Sequence, residues 1–154
     1  RIAPIYEGTN GIQAADLVGR KLRMQGGEAV ASLLNDIANG AEGETGLAQL
    51  AADCEAVVNW LSSGQASVDD QLAASYPFLT MLSVATCGWL MARQHRVASE
   101  QVQSGAGDSE FLKMKIAAAR FYLDQIVPEA GGLKSAAMAK ADILYSIDDE
   151  TFAA

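Results

Sequence analysis

The residues best suited to chemistry stand in one short stretch, Ile5-Tyr6-Glu7-Gly8-Thr9-Asn10-Gly11-Ile12-Gln13. Glycines punctuate it, and it leads into a helix. A carboxylate at Glu7, flanked by Tyr6 and a conformationally free glycine, can be aimed at a ligand. The backbone amides of Gly8 and Thr9, at a helix start, can polarise an oxygen or meet a phosphate. A plainer reading competes with this one: a capped loop with a solvated Glu7, since glycine-rich helix entries are common. On the residues alone both stay open.

The other reactive side chains read as structural. His95 is the only histidine and sits among Arg93, Gln94 and Arg96, with no cysteine or second histidine beside it. A solvated helix histidine is expected, and no metal site. Cys54 and Cys87 lie in alanine- and valine-rich helical stretches and read as buried, inert thiols. Asp69-Asp70 and Asp148-Asp149-Glu150 flank helix ends, where solvated charge is ordinary. Trp60, Trp89 and the methionines read as core or interface.

The elements that must position these groups are helical throughout. Alanine, leucine, glutamine and methionine are good helix formers, and strand-type alternation is nearly absent. A first helix is predicted over 11–23, capped by Thr9 or Asn10, with Ile12, Ala15, Val18 and Leu22 on one face. A second spans 28–38. A third carries Leu47, Leu50, Cys54, Val57, Val58 and Leu61 up to a stop at Gly64. Ser67-Val68-Asp69-Asp70 opens the longest apolar stretch, from Leu72 to Met91, with a kink or restart expected at Pro77. A helix from Asp108 is predicted to turn Phe111, Met114, Ala118, Phe121, Tyr122 and Ile126 inward and to end before Pro128. A last helix is expected over 133–144, with Met138 and Ile143 inward, then a tail. The sum is an all-α antiparallel bundle of four or more helices.

Composition narrows the function. The chain has 154 residues, 50% of them hydrophobic, enough for a core. A disordered chain is excluded on that ground. With 11 basic against 19 acidic residues, net −8, it lacks the basic face that nucleic acid requires. No apolar run is long enough for a membrane-spanning helix. Two cysteines make no disulfide framework or zinc site, so a reducing, cytoplasmic setting is the default expectation.

Tyr6-Glu7-Gly8-Thr9-Asn10-Gly11-Ile12-Gln13, continuing through Asp16 to Leu22, resembles the catalytic carboxy-terminal motif of acyl-CoA dehydrogenases. The continuation is similar to the subgroup with an added carboxy-terminal helical region, of methylthiopropanoyl-CoA dehydrogenase type. The resemblance implies a division into 1–23, the end of the catalytic region; 24–147, the helical bundle; and 148–154, a tail. It implies an FAD-dependent enzyme that desaturates an acyl-CoA thioester, with Glu7 as the catalytic base that removes the α-proton while a β-hydride passes to FAD. Such a base must be desolvated and held against the α-carbon. By the same correspondence the Glu7 backbone N–H, with a flavin hydroxyl, meets the developing enolate oxygen. Tyr6 and Gly8 are substrate-binding, and Thr9 lies near FAD. Gly11 stands where many relatives carry glutamine.

The family's fold also needs an amino-terminal helical domain and a β-domain, and neither is in this sequence. The expectation is therefore a carboxy-terminal fragment, inactive alone, whose partners are acyl-CoA, the remainder of the parent chain, sister subunits and electron-transfer flavoprotein. The alternative is a non-catalytic helical interaction or oligomerisation module. In either case an exposed apolar patch is expected, with Ile2, Ile5, Tyr6 and Ile12 as candidates.

Overall fold

A computed structural model describes residues 9–153. Among the described residues there is no strand, and the chain is an antiparallel helical bundle. The major helices are α1 (Thr9–Gly19), α2 (Glu28–Gly40), α3 (Thr45–Ser62), α4 (Val68–Ser104) and α5 (Ser109–Phe121). Short helices α6 (Val127–Gly131), α7 (Lys134–Ala137) and α8 (Asp149–Phe152) follow.

The 37-residue α4 is the axis of the bundle, in contact with every helix from α1 to α7. It begins with a capping box: the Asp70 N–H donates to Ser67 Oγ at 3.1 Å, and the Ser67 N–H donates to Asp70 Oδ2 at 2.9 Å. Pro77 neither stops nor restarts it. The carbonyl of Ala73 loses its usual donor there, a cost of about 3 kcal/mol in an isolated helix. Burial of Ala74, Phe78 and Met81, each fully enclosed, outweighs that loss. The same core takes Leu17, Val18 and Leu22 from the first segment, Val30, Leu34 and Ile37 from α2, and Leu47, Leu50 and Val57 from α3.

Several boundaries differ from the sequence reading. Thr9 and Asn10 are themselves helical rather than flanking caps, and the first helix, described over Thr9–Gly19, stops short of Arg23. A 3-10 segment, Lys21–Gly27, follows, with Gln25 at φ 54° and Gly26 at φ 67°. This left-handed step, easiest for glycine, reverses the chain into α2. The helix from Asp108 does not end before Pro128. A π-turn, Tyr122–Ile126, widens the backbone just ahead of the proline, and α6 continues beyond it. The wide turn relieves the crowding that the Pro128 ring would impose on the Asp124 carbonyl. The last predicted helix is broken into α7 and a 3-10 turn, Ala141–Tyr145, with Ile143 exposed rather than inward.

Close approach to α4 depends on Gly88, which is buried within it. A Cβ there would sit 2.9 Å from Leu47 Cδ1 and 3.1 Å from Val127 Cγ2, so α3 and α6 reach this depth only because the side chain is missing.

Candidate functional site

Of the four residues singled out for chemistry, Tyr6, Glu7 and Gly8 lie outside the described residues, and Thr9 is the exposed first residue of α1. What the structure does define is the helix that follows these residues in sequence. Ala14, Leu17 and Val18 bury one face of α1 against the bundle. Ile12, expected on that face, is instead 69% exposed. Arg20 holds Asp16 through two bonds of 2.7 and 2.8 Å, and Lys21 Nζ lies 3.3 Å from the same carboxylate. The Arg20 guanidinium, with Lys21 in support, keeps the Asp16 carboxyl below the usual carboxylate range. Arg23 then donates to Gln71 Oε1 at 3.1 Å, tying the turn after α1 to the start of α4.

A second polar centre was not visible in the sequence as such. Asp70 is buried, not solvated. Besides closing the cap, its carboxylate accepts from the Ala141 N–H at 2.8 Å and from Lys140 Nζ at 3.0 Å. These donors, the Ala141 amide foremost, hold the Asp70 carboxyl well below the usual range. Lys140 also donates to the Gln65 carbonyl at 3.0 Å and lies 5.7 Å from the Trp60 ring centre. Residues 140–141 are thereby clamped to the first turn of α4. The one hint in the sequence was the spacing of Ser67 and Asp70, which is that of a capping box. A buried Asp53, bonded to Lys134 Nζ at 2.7 Å, fastens α3 to α7 in the same way.

Cys54 is fully enclosed, and burial, reinforced by the Asp53 charge, pushes its thiol up to about 12. Cys87, expected to be buried, is exposed on the outer side of α4. His95 is half-buried and lines a groove of about 300 Å³ with Glu42, Glu44 and Arg96. Among the described residues no three His, Cys, Asp or Glu side chains converge as a metal site would need.

A groove of about 460 Å³ runs between α2 and α3 and closes against the Gly26–Gly27 turn. Its polar lining is Glu28, Asn35, Glu55, Asn59 and Ser62, with no lysine or arginine. A dinucleotide or coenzyme A brings several phosphate charges, which two carboxylates repel. That groove therefore does not suit a phosphate-bearing cofactor. The groove also lies at the far end of α1 from Thr9, about 16 Å along the helix.

Residues 28–148 match the family described as acetyl-CoA dehydrogenase C-terminal like. The chain belongs to this family. Among curated relatives it is 33% identical to a 3-methylmercaptopropionyl-CoA dehydrogenase of Ruegeria pomeroyi, over 84% of this chain and 24% of that protein. It is 29% identical to the broad-specificity linear acyl-CoA dehydrogenase FadE5 of Mycobacterium tuberculosis, over 83% of this chain and 24% of that protein. A butyryl-CoA dehydrogenase of Syntrophomonas wolfei is 28% identical, over 88% of this chain and again 24% of its own length. The chain thus spans about a quarter of each relative it matches. As a member of this family it is related to acyl-CoA dehydrogenases, a flavin-using group, and among the described residues no helix is long and apolar enough to cross a membrane.

Proposed function

We propose that this chain is the carboxy-terminal part of a flavin-dependent acyl-CoA dehydrogenase and carries that enzyme's catalytic base, Glu7. The observation that carries the reading is the family match over 28–148, directly behind a Tyr-Glu-Gly-Thr motif. Residues 1–23 then end the catalytic region, 24–147 form the appended bundle, and 148–154 are a tail. In this reading Glu7 takes the α-proton of an acyl-CoA thioester. Its own backbone N–H donates to the thioester oxygen as negative charge develops there. Tyr6 and Gly8 line the acyl-CoA path, and Thr9, exposed at the start of α1, faces the cofactor region. FAD is the cofactor of the whole enzyme, held by parts outside this chain. Acyl-CoA, the rest of the parent chain, sister subunits and electron-transfer flavoprotein are its partners, in the cytoplasm.

The helices past Leu22 contribute no reacting group and act as scaffold. Exposed apolar side chains on α4 and α5, such as Leu72, Tyr76, Phe111 and Phe121, favour a docking role for them as well. The test is Glu7→Gln in the complete, flavin-loaded enzyme. Turnover of acyl-CoA falls by a factor of about 10² to 10⁴ while assembly and acyl-CoA binding stay intact. Turnover within a few-fold of the unmodified enzyme overturns the assignment.

A further inference from the structure

We propose that the groove between α2 and α3 receives a basic amphipathic helix of a partner protein. The spacing of its walls is that of a helix seat. Glu28, Ala31, Asn35 and Ala38 line it from α2, at steps of three, four and three residues. On α3 the line runs from Ala48 through Ala52, Glu55 and Asn59 to Ser62, in alternating steps of four and three. Such steps keep one row of side chains turned toward a neighbouring helix over several turns. The α3 row is about 21 Å long, or about four turns. Its alanines and those of α2 at 31 and 38 are exposed at the rim, whereas Leu34 and Ala51 form a buried floor. Small side chains on both walls let a third backbone come close, with apolar side chains of its own seated between them.

Charge selects the occupant. From Met24 to Ala92 the chain has no lysine, arginine or histidine, but eight carboxylates. The remaining 11 of the 19 acidic residues equal the 11 basic ones in number, so this stretch holds the whole net charge of −8. Three of the eight meet a base brought in from later in the chain: Glu44 with Arg120, Asp53 with Lys134 and Asp70 with Lys140. Glu28 and Glu55, one on each wall of the groove, have no ion-pair or hydrogen-bond partner among the described residues. Lysines or arginines flanking an apolar stripe supply the missing charge at both walls. A second copy of this chain, an anionic membrane and nucleic acid all bring negative charge and are repelled.

The probe is a fluorescein-labelled synthetic helix of about four turns, with leucines at three-and-four spacing and arginines beside them. It is titrated by fluorescence anisotropy into the 154-residue chain and into the complete flavin-loaded enzyme. Both bind it, with a Kd of about 1–100 µM at low salt, and a scrambled peptide of the same composition binds at least about tenfold more weakly. Glu28→Gln with Glu55→Gln raises the Kd at least about tenfold, and so does Ala52→Trp, which fills the groove, each at an unchanged circular dichroism spectrum. Glu110→Gln with Glu129→Gln removes the same charge outside the groove and leaves binding as it was. Equal binding of the scrambled peptide, or no effect of the groove variants, overturns the proposal. Displacement of the probe by an equal concentration of hexylamine makes this a small-cation site and overturns the helix. Binding to the chain but not to the complete enzyme shows the groove covered by the enzyme's own parts and overturns the separate partner. None of these results bears on Glu7.

Discussion

Gly88→Ala and Leu47→Ala, made singly and together, test whether α4 and α3 are as close as the geometry requires. Leu47→Ala removes a side chain that is only 1% exposed, so it costs about 2–5 kcal/mol through lost transfer energy and a residual cavity. In a chain of this size that lowers the melting temperature by roughly 4–20 °C. Gly88→Ala has two opposed effects. Alanine in a helix interior is favoured over glycine by about 1 kcal/mol. Its methyl, however, arrives 2.9 Å from Leu47 Cδ1 and 3.1 Å from Val127 Cγ2, and overpacking of this kind costs about 1–3 kcal/mol. Alone it is therefore neutral to destabilising. With Leu47 already truncated, the nearer obstacle is gone and Val127 has room to shift. The new methyl then fills part of the void, worth about 0.8 kcal/mol, and the helix gain is kept. Gly88→Ala changes sign and stabilises the Leu47→Ala background, with a coupling of about 1–3 kcal/mol. Urea unfolding followed by circular dichroism reads this as a shift of midpoint at constant slope. Equal effects of Gly88→Ala in the two backgrounds would refute the close packing.

Three further outcomes follow from the same structure. Ser67→Ala opens the capping box of α4 and lowers stability by about 1 kcal/mol, measured by the same unfolding curve; no change would mean that the cap carries nothing. Asp70 has a carboxyl held below its ordinary value of 3.8, so its contribution is complete above that value and is lost as pH falls further. Asp70→Asn should therefore be less stable than the parent at neutral pH and lose less on acidification, and parallel acid limbs would contradict the clamp. In the folded chain a thiol reagent should modify Cys87 promptly and Cys54 only on unfolding, because Cys54 is enclosed and its thiol is pushed up to about 12; rapid labelling of both would show that the core is open.

The parts of the fold legible in the sequence were those where a single apolar face coincided with strong end signals. The helices over 28–38 and from Leu47 to Leu61 emerged as read, and so did the start of α4 at Ser67. The helix from Asp108 shows the limit. It carries one apolar stripe through Phe111, Met114, Ala118 and Phe121 and a second through Leu112, Ala119 and Leu123, both at helical spacing. Periodicity marks the two equally, and only the neighbour α4 decides that the second is the core. Cys87 was misjudged for the same reason, since an apolar run does not say which side of a long helix faces water. Pro128 read as a stop because the rule assumes an ordinary α-turn, and the π-turn removes the conflict. Asp70 read as a solvated charge because its donors, Lys140 and Ala141, lie seventy residues further along the chain. Of the site, the motif from Tyr6 to Thr9 was legible as a local pattern, whereas the salt bridge and tether that hold α1 depend on the folded bundle.

The central claim is that Glu7 removes a carbon-bound proton. It is tested most directly by deuterium exchange at the α-carbon of a bound acyl-CoA in heavy water, followed by mass spectrometry in the complete flavin-loaded enzyme and in its Glu7→Gln variant. Rapid α-exchange in the parent, with a loss of about 10² to 10⁴ in rate in the variant at unchanged acyl-CoA affinity, is the predicted result. Equal exchange in the two proteins would contradict it.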